Sequence, residues 1–61
     1  MSEFAKMAEG GIYFVGIGGV SMSALARLLS DRGVSVRGCD ARESYFVREL
    51  RMCGIGVTVG T

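Results

Sequence analysis

Three glycines lie within four residues of the segment FVGIGGVSMS, residues 14–23, directly after an apolar run. This pattern is typical of a parallel strand that turns sharply into a helix, which directs backbone N–H groups and the positive helix end toward one anion. We expect Gly16 to permit the tight turn and Gly18 to let a diphosphate approach the backbone. Ser21 stands where the fingerprint G-x-G-x-x-G has its third glycine, so a turn without a ligand is the alternative.

The hydrophobic pattern predicts the element order β-α-β-α-β. The first apolar run does not alternate, which is typical of a strand covered on both faces. Apolar residues at helical spacing follow the first and second strands, and a glycine comes just past the end of each predicted helix. The predicted elements are strand 12–15, a helix ending before Gly33, strand 34–39, a helix between its N-cap Ser44 and Gly54 with Phe46, Val47, Leu50 and Cys53 facing inward, and strand 55–59.

This order predicts an α/β fold, the Rossmann-like β-α-β-α-β half of a doubly wound domain, with a three-stranded parallel sheet. We expect residues 1–10 to form a flexible leader and residues 11–61 to form the partial domain. In the complete fold a fourth strand lies beside the first. Without it, the first strand has an unpaired edge, which favours self-association through that edge.

The length and composition of the chain limit the classes of protein to which it can belong. Chains of this size usually reach only about 3–5 kcal/mol of stability from one core. Seven Lys and Arg residues against six Asp and Glu residues form no broad basic surface for nucleic acid or membrane. No uncharged run is apolar enough to span a bilayer, and the first residues lack the pattern of a secretory signal.

The two cysteines, Cys39 and Cys53, lack the spacing of metal ligands, and the chain has no histidine. We expect both to be reduced, partly buried thiols, with a disulfide between them as the alternative. Reduced thiols favour a cytoplasmic protein.

Four polar side chains near the glycine loop have two interpretations each. Asp40 ends the second strand, where a carboxylate commonly accepts hydrogen bonds from a ribose, but it is also a plausible turn residue. Ser21 and Ser23 either present hydroxyls to a phosphate or cap the helix. Arg42 either contacts a phosphate or is solvated.

The segment from Ile12 to Ala26 resembles the opening motif of the Mur ligases, I-H-F-[VI]-G-I-G-G-x-G-M-S-G-[LI]-A. The resemblance continues through residues 33–40, which are similar to G-x-x-V-x-G-S-D. It extends through residues 50–61, which are similar to L-x-x-x-G-[IA]-x-[VI]-x-x-G-H, and so covers most of the chain. The departures from these patterns are Tyr13, Ser21, Ala24, Cys39 and Thr61.

The resemblance implies that the segment binds the UDP of UDP-N-acetylmuramate, in the branch of the family that adds L-alanine during peptidoglycan biosynthesis. It implies that ATP and Mg²⁺ serve amide formation in other domains, so we expect these residues to bind neither and not to catalyse alone. By position, Asp40 lies near the uridine end, and the diphosphate-binding residues are Gly16, Ile17, Gly18, Gly19, Ser21, Met22 and Ser23.

Two other functions stay open at this point. The glycine loop and Asp40 by themselves are compatible with an NAD(P)-binding half domain of a dehydrogenase. The unpaired strand edge is compatible with a non-catalytic chain that self-associates.

Overall fold

A computed structural model describes residues 5–8 and 10–60 of the chain. Strands β2, β3 and β4 are parallel neighbours, and the two helices connect them. The predicted α/β class, with a three-stranded parallel sheet in the order β-α-β-α-β, is therefore confirmed. The elements are β1 (Ala5–Ala8), β2 (Gly11–Val15), α1 (Val20–Asp31), β3 (Val36–Asp40), α2 (Tyr45–Met52) and β4 (Gly56–Val59).

A fourth strand lies where an open edge was expected. β1 pairs antiparallel with β2, so that Ala5 lies opposite Phe14 and Ala8 lies opposite Gly11. This corrects the expected open edge at β2, and the strand that covers it comes from residues 5–8 of the expected leader. An open edge carries unpaired N–H and C=O groups, and an adjacent segment of the same chain satisfies them with only a short loop to close. Residues 1–4 and 9 of the leader, and Thr61, lie outside the described residues.

The helix ends follow the predicted signals. Ser44 is the N-cap of α2, and its hydroxyl accepts a hydrogen bond from the Val47 N–H at 3.2 Å. Gly33 and Gly54 come after α1 and α2 with φ angles of 89° and 87°. A side chain is strained in this left-handed conformation, so the glycines mark where each helix ends.

The core lies between the two helices, which contact each other, and one face of the sheet. On the other face, Tyr13 and Val15 of β2 are 45% and 49% exposed. The expectation that this strand is covered on both faces is therefore wrong, because α1 and α2 share one face and no described residue covers the other. The core residues are Phe14, Ile17, Ala26, Val36, Leu50 and Ile55.

Both cysteines are free thiols, as expected, but they differ in exposure. Cys39 is half-buried in β3. Cys53 is exposed and does not face inward, because it is the C-cap of α2, where the chain leaves the helix. None of the helices in the described ranges has the length and apolar character needed to cross a bilayer.

Candidate anion-binding site

The glycine loop, residues 16–19, joins β2 to α1 at the carboxyl end of the parallel strands. Gly16 has a φ of 75°, which turns the chain sharply after β2. The N–H groups of Gly16 and Ile17 both donate to the carbonyl oxygen of Cys39, at 2.9 and 3.1 Å. The Ile17 side chain is fully buried in the core. Backbone hydrogen bonds therefore hold the loop against the end of β3, and the Ile17 side chain anchors it in the core.

The second half of the loop is fixed by a carboxylate. The Gly18 N–H donates to Asp40 Oδ2 at 2.7 Å, and the Gly19 N–H donates to the Gly16 carbonyl oxygen at 3.1 Å. A Cβ atom on Gly18 would lie 2.8 Å from Asp40 Oδ2 and 2.9 Å from Val47 Cγ2. The absent side chain thus makes room for β3 and α2, whereas the sequence suggested room for a ligand. All four N–H groups of the loop have acceptors within the chain.

Three N–H groups at the start of α1 have no acceptor among the described residues. Gly19 is the N-cap and offers no side-chain cap, and the bond from the Ser23 N–H to the Gly19 carbonyl oxygen, at 2.8 Å, closes the first turn. The unpaired N–H groups are those of Val20, Ser21 and Met22, which precede it. The first turn contains no acidic residue. The positive end of the helix is therefore available to an anion.

The side chains that the sequence singled out occupy different environments. Ser21 is exposed at the helix start and Met22 is half-buried. Ser23 is only 3% exposed, and its Oγ donates to the Val20 carbonyl oxygen at 3.1 Å. Neither serine caps the helix. Only Ser21 of the two presents a hydroxyl to solvent beside the unpaired N–H groups.

Asp40 meets the loop, as the sequence suggested, but its oxygens face backbone donors. Besides the bond from Gly18, its Oδ1 accepts the N–H of Arg42 at 3.4 Å. The Arg42 residue is exposed, and its guanidinium forms no ion pair within the described ranges. The structure therefore brings Asp40 and the glycine loop together and leaves the Arg42 side chain in solvent.

Sequence reasoning missed a groove of about 310 Å³ between α1 and α2. Val20 lines it, together with Arg27, Tyr45 and Glu49. The Tyr45 ring is largely exposed and stands edge-to-face to Phe46, with the ring centroids 5.5 Å apart. The groove is formed by helices that only the fold brings together, and it starts beside the unpaired N–H groups. A second cavity, of about 300 Å³, lies at the amino ends of β2 and β3.

Ligases from several bacteria are similar to this chain over most of its length. The UDP-N-acetylmuramate–L-alanine ligase of Acidothermus cellulolyticus is 55% identical over 84% of this chain, and that of Azorhizobium caulinodans is 51% identical over 87%. The ligase of the same name from Clostridium botulinum strain Eklund 17B is 40% identical over 95% of the chain. The chain covers only 11%, 11% and 13% of the lengths of these three relatives.

No solved structure matches the chain. The family model described as Mur ligase family, catalytic domain, matches residues 11–61, from the start of β2 to the end of the chain. Because this match includes the loop, both helices and the whole parallel sheet, the chain belongs to the Mur ligase family.

Proposed function

We propose that this chain is the N-terminal substrate-binding segment of a ligase that joins UDP-N-acetylmuramate to L-alanine, and that it binds the diphosphate of that nucleotide sugar. The observation that carries the proposal is the set of unpaired N–H groups at Val20, Ser21 and Met22, in a chain of the Mur ligase family. The names of the relatives support the choice of substrate.

The two halves of the predicted site have different roles in this proposal. The backbone of residues 20–22 contacts the diphosphate, because its N–H groups lie at the positive end of a 12-residue helix. Residues 16–19 shape the site without donating to the ligand, because their own N–H groups are satisfied. The nucleoside or sugar then extends beyond the helix start, where Asp40 and the groove beside Val20 lie.

The segment binds substrate and carries out no chemistry of its own. The described residues contain no group of three or more His, Cys, Asp or Glu side chains that would hold a metal ion. We assign ATP and Mg²⁺ to the remainder of a full-length ligase, of which this chain covers about 11%. The free thiols of Cys39 and Cys53 suit a reducing compartment, so we propose a cytoplasmic location.

A ligand titration tests the proposal. UDP-N-acetylmuramate, UDP, uridine and NADH are added separately to the ¹⁵N-labelled chain, and amide chemical shifts are followed by NMR. We expect the two uridine diphosphates to shift the amides of residues 20–22 most, because those N–H groups gain an acceptor. Uridine, which lacks phosphate, is the control and should leave them in place. A clear preference for NADH would favour the dehydrogenase alternative and reject the proposal.

Self-association is a second candidate property of the chain. The strand edge proposed for it differs from the edge that the sequence predicted. β1 covers the edge of β2, but no described strand pairs with the outer edge of β4. The exposed Tyr13 and Val15 add apolar surface on the uncovered sheet face. We therefore propose that two copies associate through β4.

Sedimentation velocity tests this association. We expect a concentration-dependent dimer that Thr58→Lys abolishes, because Thr58 is exposed in the middle of β4 and a lysine there opposes edge pairing. Thr58→Val is the matched control and should keep the dimer. A wild-type chain that sediments as a monomer at every concentration contradicts the association.

A further inference from the structure

The Asp40 carboxylate connects the end of β3 to the glycine loop. Its Oδ2 accepts the Gly18 N–H at 2.7 Å, a short distance typical of a hydrogen bond to a charged acceptor. Its Oδ1 accepts the N–H of Arg42 at 3.4 Å. Both oxygens therefore have backbone partners in the protein itself, before any ligand is added.

Gly18 is closely packed at the place where it makes this bond. A Cβ atom on Gly18 would lie within 3 Å of both Asp40 and Val47, and 3.3 Å from Ser44 Oγ. Gly18 is thus held between β3 and the start of α2. The next residue, Gly19, is the N-cap of α1, so the placement of Gly18 sets the direction in which the unpaired N–H groups of residues 20–22 point.

We propose that Asp40 is a positioning residue: its carboxylate anchors the glycine loop and thereby orients the start of α1 toward a diphosphate, and it does not serve as an acceptor for the ribose. This inference rests on the proposed diphosphate binding. A positioning residue and a ribose acceptor predict different ligand dependence. The contribution of Asp40 is the same for inorganic pyrophosphate, which has no nucleoside, as for UDP.

The test compares Asp40→Ala and Asp40→Asn with the wild-type chain. Isothermal titration calorimetry measures the Kd for pyrophosphate and for UDP, and NMR measures hydrogen exchange of the Gly18 amide without ligand. We expect Asp40→Ala to weaken both ligands equally, by about tenfold, the scale of one lost hydrogen bond to a charged group. Its Gly18 amide exchanges faster, because the amide has lost its acceptor.

The asparagine variant separates anchoring from charge. Its amide oxygen accepts the Gly18 N–H, so we expect no loss of affinity for either ligand and a Gly18 amide that stays protected. Loss of the negative charge can only tighten binding, and it does so for both ligands alike because both carry the diphosphate. Asp31→Ala is the charge-matched control, because Asp31 is exposed at the far end of α1, and it should change neither affinity nor the exchange of Gly18.

Three results overturn the proposal. The first is a loss of UDP affinity with unchanged pyrophosphate affinity, which assigns Asp40 to the nucleoside. The second is a Gly18 amide that stays protected in Asp40→Ala. The third applies if the alanine variant does not fold: it is a changed ratio of UDP affinity to pyrophosphate affinity in Asp40→Asn. A wild-type chain that binds neither ligand is a separate failure, that of the proposed function, and the positioning role fails with it.

Discussion

Replacing Gly38 with alanine is expected to lower the free energy of unfolding by about 2–3 kcal/mol, the upper part of the usual range for overpacking a core. Gly38 is buried in β3, and a Cβ atom there would lie 2.6 Å from the Phe14 carbonyl oxygen and 2.8 Å from Ile17 Cδ1. The carbonyl belongs to the backbone of the paired strand β2, so it cannot rotate away as a side chain would. Urea denaturation followed by circular dichroism measures the loss.

Gly56→Ala is the matched control for this prediction. Gly56 is also a strand glycine, and it lies opposite Arg37, the residue before Gly38, on the exposed face of the sheet. Its Cβ would meet nothing closer than Arg37 Cδ at 3.6 Å, an ordinary contact. We expect a neutral or slightly stabilising change, of about 0.5–1 kcal/mol. Equal losses in the two variants would contradict the close approach of β2 to Gly38.

Replacing Ser21 with aspartate is expected to abolish most diphosphate binding while making the fold slightly more stable. Ser21 is exposed in the first turn of α1, which has no acidic residue. An aspartate there stabilises the helix by about 0.3–1 kcal/mol through its dipole. At about 5 Å and an effective dielectric constant of about 40, it repels each ligand charge by roughly 1.7 kcal/mol. For a diphosphate with two charges, this repulsion of about 3.4 kcal/mol should raise the Kd by roughly two to three hundredfold.

Ser21→Asp is expected to weaken diphosphate binding and to raise the stability of the fold, so unfolding cannot be the cause of the lost binding. Calorimetry with UDP gives the Kd, and thermal denaturation gives the stability. Ser35→Asp makes the same chemical change just before β3, five residues from Asp40, which is roughly 16 Å along a strand and beyond the screening length of about 8–10 Å. It should leave the Kd unchanged. Full UDP affinity in Ser21→Asp would place the diphosphate away from the start of α1.

Local patterns correctly predicted the two helices and the three parallel strands. The alternation in 55–59, the helical spacing of the apolar residues, the Ser44 cap and the glycines at 33 and 54 each involve residues a few positions apart. Such signals depend on backbone geometry that is the same in any fold, so they need no knowledge of distant partners. The sequence also placed Asp40 beside the glycine loop, because the ends of adjacent parallel strands meet at one edge of the sheet.

The pairing of β1 was missed, although a signal for it was present. Gly10 and Gly11 follow the segment AKMA closely, and a pair of glycines is a signal for a turn between two strands. The segment has no alternation of apolar and polar residues long enough to predict a strand by itself. Its pairing depends on the edge of β2 being available, which is a property of the sheet.

By itself, the sequence determined the order of the three parallel strands and two helices, the sharp turn at Gly16 and the membership of the Mur ligase family. Only the tertiary structure decided which N–H groups are left for an anion. Gly16 and Gly18 find their acceptors at Cys39 and Asp40, more than twenty residues away, because the parallel pairing of Val15 with Cys39 brings the end of β3 against the loop. No local pattern encodes that register. Because the register satisfies the N–H groups of the glycines, the unpaired donors are those in the first turn of the helix.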